Sequence, residues 1–251
     1  MTLETAAQFD ELAAMYEDMA NLPFRKDIEI PSVLATVGEI SSLDVLDYAC
    51  GTGMYARWLK ARGARRVVGF DLAGGMLNYA RRRAEKEGAD ISFTAELSPE
   101  LNEKFDLVLA VYILPYATNR DELNSMCAGM ARLLRPNGRL VTLPIHPDYD
   151  PRPSYYEPYG FRLIADDHEH APYADGGRVR LDLSFKDHRA SVDAWYWSKA
   201  TLEDALSEAG LADIRWRDPH APAYPDSASA PDSLRAYLDR PHTVLIEARK
   251  A

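Results

Sequence analysis

The most constraining stretch of this chain is Asp47-Tyr48-Ala49-Cys50-Gly51-Thr52-Gly53, because it lies between a short apolar run, Leu43 to Asp47, and an amphipathic one, Met54 to Arg62. A strand that ends in closely spaced glycines and turns directly into a helix sets unpaired helix N–H groups beside backbone that no side chain obstructs. Twenty residues after the first glycine, at the end of a second apolar run from Arg66, stands Asp71. Glycines for close approach, a helix start for hydrogen bonds and an acid that can accept from two ribose hydroxyls are the parts of an adenosine-cofactor site.

The pattern on either side repeats this unit. Helical runs at Gly75 to Glu87 and Arg120 to Leu134 alternate with apolar runs at Ile91 to Ala95, Phe105 to Tyr112 and Arg139 to Pro144, and Arg135-Pro136-Asn137-Gly138 supplies the turn that closes the second helix. Apolar strands alternating with amphipathic helices imply a parallel sheet covered on both faces. Beyond His146 come several prolines and tyrosines, followed by Phe161 to Ala165, Arg178 to Lys186 and Ser191 to Trp197, which alternate apolar with polar residues as antiparallel strands with one wet face do. Asp175-Gly176-Gly177 and Lys186-Asp187-His188 provide turns. A helix from Thr201 to Ala209 and a strand pair, Leu211 to Trp216 and Thr243 to Ala248, complete the chain around a Pro/Ala/Ser-rich loop from Pro219 to Pro231. At the other end, Ala6 to Met19 and Ile28 to Val37 read as two helices.

The expectation is an α/β protein with a doubly wound, mostly parallel seven-stranded sheet, helices on both faces, an inserted antiparallel β-layer and an N-terminal helical lid. The lid spans 1–40, the core 41–146 and 198–251, and the insert 147–197.

With 39 acidic against 29 basic residues the net charge is -10, which opposes binding to nucleic acid. Arg81-Arg82-Arg83 is a short basic run on a helix and reads as a solvated face. Two cysteines, Cys50 and Cys127, suggest no disulfide framework and fit a reducing cytoplasm. No run of about 18 apolar residues and no N-terminal apolar segment occurs, so neither a membrane span nor a signal peptide is expected. His168-Glu169-His170 lacks a fourth ligand at metal-site spacing, and no metal is expected.

Ala56 completes the permissive Gly-x-Gly-x-x-Ala form of a dinucleotide site, which keeps a dinucleotide-dependent oxidoreductase open. Asp47 argues against it, since an acid four residues before the first glycine would repel a pyrophosphate but suits a cationic amino group or sulfonium. Val45 to Gly53 resembles the first motif of class I S-adenosylmethionine-dependent methyltransferases, and Val67-Val68-Gly69-Phe70-Asp71-Leu72 their second. Phe105 to Tyr112 and Leu134 to Leu140 resemble their fourth- and fifth-strand motifs, so the likeness covers Leu43 to Pro144. The resemblance implies that Asp47, Ala49, Gly51 and Gly53 border the methionine part of S-adenosylmethionine, with Cys50 among the cofactor-binding residues of the same loop, that Asp71 holds the ribose, Leu72 and Met76 flank the adenine, and Ala110 lines the sulfonium side. After the third strand, Glu96 or the backbone of Leu97 stands where the family often has an acid on the adenine amino group. The segment from Tyr16 to Pro31 resembles the lid of small-molecule methyltransferases, with Tyr16 and Arg25 placed to hold the methionine carboxylate. Together with Trp197-Ser198 it is similar to the toxoflavin-synthase-like group, whose acceptors are azapteridine heterocycles.

For the acceptor, Tyr112 and Tyr116 follow the fourth strand, His146 follows the fifth, and Trp195 and Trp197 end the insert, a set that suits a flat, partly apolar small molecule. His146 is also the candidate general base, although methyl transfer from an activated sulfur can proceed by placement alone. The reading is N-methylation of an aromatic heterocycle or a similar secondary metabolite. Alternatives are O- or C-methylation of a phenolic, quinone or isoprenoid acceptor, and a non-catalytic S-adenosylmethionine-binding protein. The sequence leaves the oligomeric state open.

Overall fold

A computed structural model describes residues 13–185, 188–224 and 226–251. Helix α1 (Ala13–Met19) is followed by a π-helical turn at Arg25–Glu29 that runs directly into α2 (Ile30–Val37). The core then alternates β1 (Asp44–Tyr48), α3 (Met54–Ala61), β2 (Arg66–Phe70), α4 (Gly74–Glu87), β3 (Ser92–Thr94), β4 (Phe105–Val111), α5 (Arg120–Leu133) and β5 (Leu134–Leu143). Three strands follow, β6 (Phe161–Ala165), β7 (Arg178–Phe185) and β8 (His188–Trp195). Helix α6 (Lys199–Glu208), β9 (Leu211–Arg217), α7 (Asp232–Asp239) and β10 (Leu245–Lys250) close the chain.

The seven-stranded sheet has the order β3-β2-β1-β4-β5-β10-β9, parallel from β3 to β5, with β10 antiparallel to both of its neighbours. Strand alternation buries both faces. Leu107 and Leu109 of β4 join Val45, Val67 and Val141 against α2 and α3, whereas Val108 and Ala110 join Leu46, Val68 and Leu140 against α5 and α6. The strand order reverses between β2-β1 and β4, and ligands of doubly wound sheets bind beyond the strand ends at such a switch point. Strands β6, β7 and β8 form a separate antiparallel sheet whose apolar face, with Phe161, Leu163, Leu183 and Val192, packs with the lid residues Phe24 and Ile28 and with Tyr237 of α7. The doubly wound fold with an antiparallel insert is as the sequence implied.

Several boundaries differ. The Arg135 to Gly138 turn lies inside β5: Phe105 pairs with Leu134 and Leu107 with Arg139, so the extra residues bulge out with Asn137 at φ 63°. The second helix, expected from Ile28, begins at Ile30 because its first turn is π-helical. The last insert strand ends at Trp195 rather than Trp197, since Tyr196 and Trp197 lead into Ser198, whose hydroxyl accepts from the Thr201 N–H and caps α6. Helix α7 was not anticipated; Leu234 and Tyr237 are buried one turn apart on its inner face, directly after the polar loop that masked the pattern. The turn at Lys186 and Asp187, and the part of the N-terminal helix before Ala13, lie outside the described residues. Among the described residues no helix is long and apolar enough to cross a membrane.

Candidate functional site

The glycine loop leaves β1 through three left-handed residues, Ala49 (φ 60°), Gly51 (φ 51°) and Gly53 (φ 70°), which turn the chain into α3. The Cys50 N–H donates to the carbonyl of Phe70 (2.9 Å) and the Gly53 N–H to that of Cys50 (2.8 Å), so the loop is braced against β2. Asp71, just past β2, accepts from the N–H of Gly51 at Oδ2 (2.8 Å) and from that of Ala73 at Oδ1 (2.9 Å), which aligns its carboxylate with the loop before any ligand arrives. Asp47, 2% exposed, accepts from the N–H of Ala56 (2.9 Å). Burial pushes its pKa up to about 7, assisted by the charge of Asp71 and opposed by the Ala56 hydrogen bond and Arg57.

Gly53 has two reasons to be glycine. Its φ disfavours a side chain, and a Cβ there would lie 2.9 Å from the Phe93 ring and 3.0 Å from the Ala80 Cβ. Gly53→Ala is therefore expected to cost about 2–4 kcal/mol, read from the urea midpoint, from backbone strain together with overpacking.

The loop forms one end of a cavity. Ala49, Cys50, Gly51, Thr52, Asp71 and Met76 line that end; Tyr16, Met19, Phe24 and Arg25 of the lid cover it, and Tyr112 and Tyr116 flank it beyond β4. The insert sheet walls the far end with Phe161, Leu163, Leu181, Leu183 and Ala194. A shallower depression shares Ala49, Asp71 and Ile113 with this cavity and continues past Leu72 towards Met126.

Of the residues singled out in the sequence, Tyr16, Arg25, Ala49, Cys50, Gly51, Asp71, Met76, Tyr112 and Tyr116 thus meet at one cavity, with Leu72 on its neighbour. Asp47 and Gly53 support the loop without lining either. Glu96 is exposed, with its N–H on the Thr94 hydroxyl, and Leu97 packs against the α5 and α6 side of the core. Ala110, His146, Trp195 and Trp197 are off the cavity, and for three of them the reason is the two-residue period of extended chain. Val111, Ile145 and Ala194 line the cavity, so their neighbours Ala110, His146 and Trp195 point away from it. His146 instead accepts the Asp148 N–H at Nδ1 (2.9 Å) and donates from Nε2 to Asp218 (3.1 Å). Trp197 is buried with Leu202 of α6, and its ring packs beside Gly176.

Sequence reasoning missed Glu29 and His242. Glu29, fully buried on the π-helical turn, accepts from Arg25 Nε (3.1 Å) and from the hydroxyl of Tyr112, a residue held at φ 60°. His242 lies 3.2 Å from the Tyr112 hydroxyl through Nε2 and 2.8 Å from that of Tyr237 through Nδ1. A carboxylate only accepts, so Tyr112 donates to Glu29, His242 Nε2–H donates to Tyr112, and the Tyr237 hydroxyl donates to His242 Nδ1. Burial, reinforced by Arg25, pushes the His242 pKa down to about 3, and its imidazole is neutral. The i, i+4 spacing of Arg25 and Glu29 was a readable signal. His242 carried none, because only the fold brings the segment before β10 to the end of β4.

Residues 45–138 match the model of a methyltransferase domain family. The chain is similar to a ubiquinone/menaquinone biosynthesis C-methyltransferase of Laribacter hongkongensis, with 29% identity over 74% of this chain and 73% of that protein. Its fold is similar to that of an S-adenosylmethionine-dependent methyltransferase from Mesorhizobium loti, at a TM-score of 0.62 and 23% identity over 92% of this chain and 99% of the other. It is also similar to the DhpI–SAH complex, at a TM-score of 0.60 and 18% identity over 99% of this chain and 97% of that one.

Proposed function

We propose that this chain, whose residues 45–138 match a methyltransferase domain family and whose fold resembles that of an S-adenosylmethionine-dependent methyltransferase, methylates a small, flat, largely apolar acceptor at a ring nitrogen, with the acceptor seated between the glycine loop and the insert sheet. The family match favours methyl transfer over the oxidoreductase and the non-catalytic alternatives. The observation that carries the acceptor class is the far wall of the cavity, where Phe161, Leu163, Leu181 and Leu183 come from the apolar face of the insert. Such a wall binds a ring by area and shape and offers little to a polyanion.

The donor end fits S-adenosylmethionine. Asp71 is aligned to accept from ribose hydroxyls, Asp47 is a buried carboxylate whose ionised form a cation would stabilise, and Tyr16 and Arg25 approach from the lid to take the methionine carboxylate. When bound, the donor supplies a methyl group already activated by its positive sulfur. The chain's own part is to hold the acceptor in line with that group and to keep water out. Nitrogen is favoured because both ring nitrogens of His242, the imidazole on the cavity wall, are already engaged, which suits a nucleophile that brings its own lone pair. A second reading, C- or O-methylation of a quinol or phenol, is supported by the named activity of the Laribacter relative.

Incubating the protein with S-adenosylmethionine and a panel of heteroaromatic amines, naphthols and quinols, with products identified by mass spectrometry, tests the reading. N-methyl products are expected; O- or C-methyl products alone would overturn the nitrogen assignment.

Donor binding is also expected to depend on pH. Asp47 gains a cationic neighbour on binding, so its raised pKa falls and a proton is released near neutrality; affinity therefore weakens as pH drops from about 7 to about 5. Calorimetry at pH 6.5 in two buffers of different ionisation enthalpy reads the release directly, and identical heats in both would contradict it.

A further inference from the structure

One guanidinium ties the glycine loop to the lid. Arg57, in the first turn of α3 and 6% exposed, donates from Nη1 to the carbonyl of Thr52 in the loop (2.8 Å) and pairs through Nη2 with Glu17 on α1. Its Nε lies 3.1 Å from Glu87 at the end of α4. Arg83 of α4 reaches the same two carboxylates, 3.5 Å from Glu17 and 3.1 Å from Glu87. Two arginines and two glutamates thus balance in charge, and the planar fork of Arg57 gives each of three elements its own N–H, which an ammonium on a flexible stem does not reproduce. Thr52 lines the donor end of the cavity, and so do Tyr16 and Met19, which flank Glu17 on α1. The side chain that holds the loop in shape is therefore the one that holds the helix covering it.

We propose that Arg57 is a positioning residue that couples the seating of α1 to the donor loop, so that a ligand held by the loop also stabilises the lid and a loosened lid weakens the ligand. The proposal rests on the assignment of this end of the cavity to the donor. Glu17→Gln keeps the shape of its partner but removes the charge that attracts Arg57. α1 then loses a buried tie, and the ligand must order the helix as it binds, a cost that the wild-type protein has already met.

The test uses S-adenosylhomocysteine as probe, with calorimetry for affinity and hydrogen exchange for the amides of residues 13–19. Wild-type protein is expected to bind it and to gain protection in α1. Glu17→Gln is expected to bind about tenfold more weakly and, before probe is added, to show less protection there than the wild type. Arg57→Lys should act in the same direction; if it fails to fold, Glu17→Gln at the partly exposed end of the pair still decides the question. Affinity of Glu17→Gln within twofold of wild type, or weaker binding with unchanged protection of α1, would overturn the coupling. No binding by the wild type would instead overturn the donor assignment beneath it.

Discussion

Asp71→Ala is expected to weaken S-adenosylhomocysteine binding by at least about 100-fold, because three losses fall together. The ribose hydroxyls lose a charged acceptor, and hydrogen bonds to charged groups are worth about 1.5–3 kcal/mol. The N–H groups of Gly51 and Ala73 lose the carboxylate that now accepts from both, so the loop and the approach to α4 also lose their alignment before the ligand arrives. Asp71→Asn separates the contributions, since the amide keeps an acceptor but loses the charge and one accepting oxygen, and it should fall between wild type and Ala. Calorimetric titration of both variants checks this; Ala binding within fivefold of wild type would remove Asp71 from the donor site.

The second large effect concerns stability. Glu29→Ala leaves the Arg25 guanidinium buried without its carboxylate and the Tyr112 hydroxyl without its acceptor, and breaking one side of a buried ion pair costs about 3–5 kcal/mol. Denaturant unfolding should record a loss of that size. The paired replacement Glu29→Met with Arg25→Met should recover much of it, since two apolar side chains carry no uncompensated charge. A Glu29→Ala variant as stable as the wild type would mean that the pair is hydrated in solution rather than desolvated. The chain from Arg25 through Glu29, Tyr112 and His242 to Tyr237 joins the lid, the end of β4, the segment before β10 and α7, so its loss is felt across the roof of the cavity.

The glycine-loop end of the cavity was legible in the linear chain because its parts are neighbours in sequence. β1, the glycines and α3 follow one another, and Asp71 is a single βα unit away. The far end of the cavity was legible only as an aromatic region. Val111, Ile145 and Ala194 line the cavity while Ala110, His146 and Trp195 point away, a one-residue displacement that reverses every side chain in extended structure. Reactive or large side chains drew the assignment at His146 and Trp195, whereas the aliphatic neighbours Ile145 and Ala194 line the cavity. Helix α7 was hidden for a related reason: its eight residues follow a polar loop, and what stabilises it is Tyr237 packing against Phe24 and Tyr159, both distant in sequence.

The sequence alone thus determined the doubly wound core, the antiparallel insert and the glycine loop between β1 and α3, since hydrophobic period, turn chemistry and adjacent motif residues are local properties. Only the tertiary structure decided which residues face the cavity, and that His242 is held neutral by burial beside Arg25. It also decided that Glu29 and Arg57 bind the lid to the core. Those properties follow from register, desolvation and contacts between segments up to 130 residues apart, and a charge or a facing direction has no value until the fold has set its surroundings.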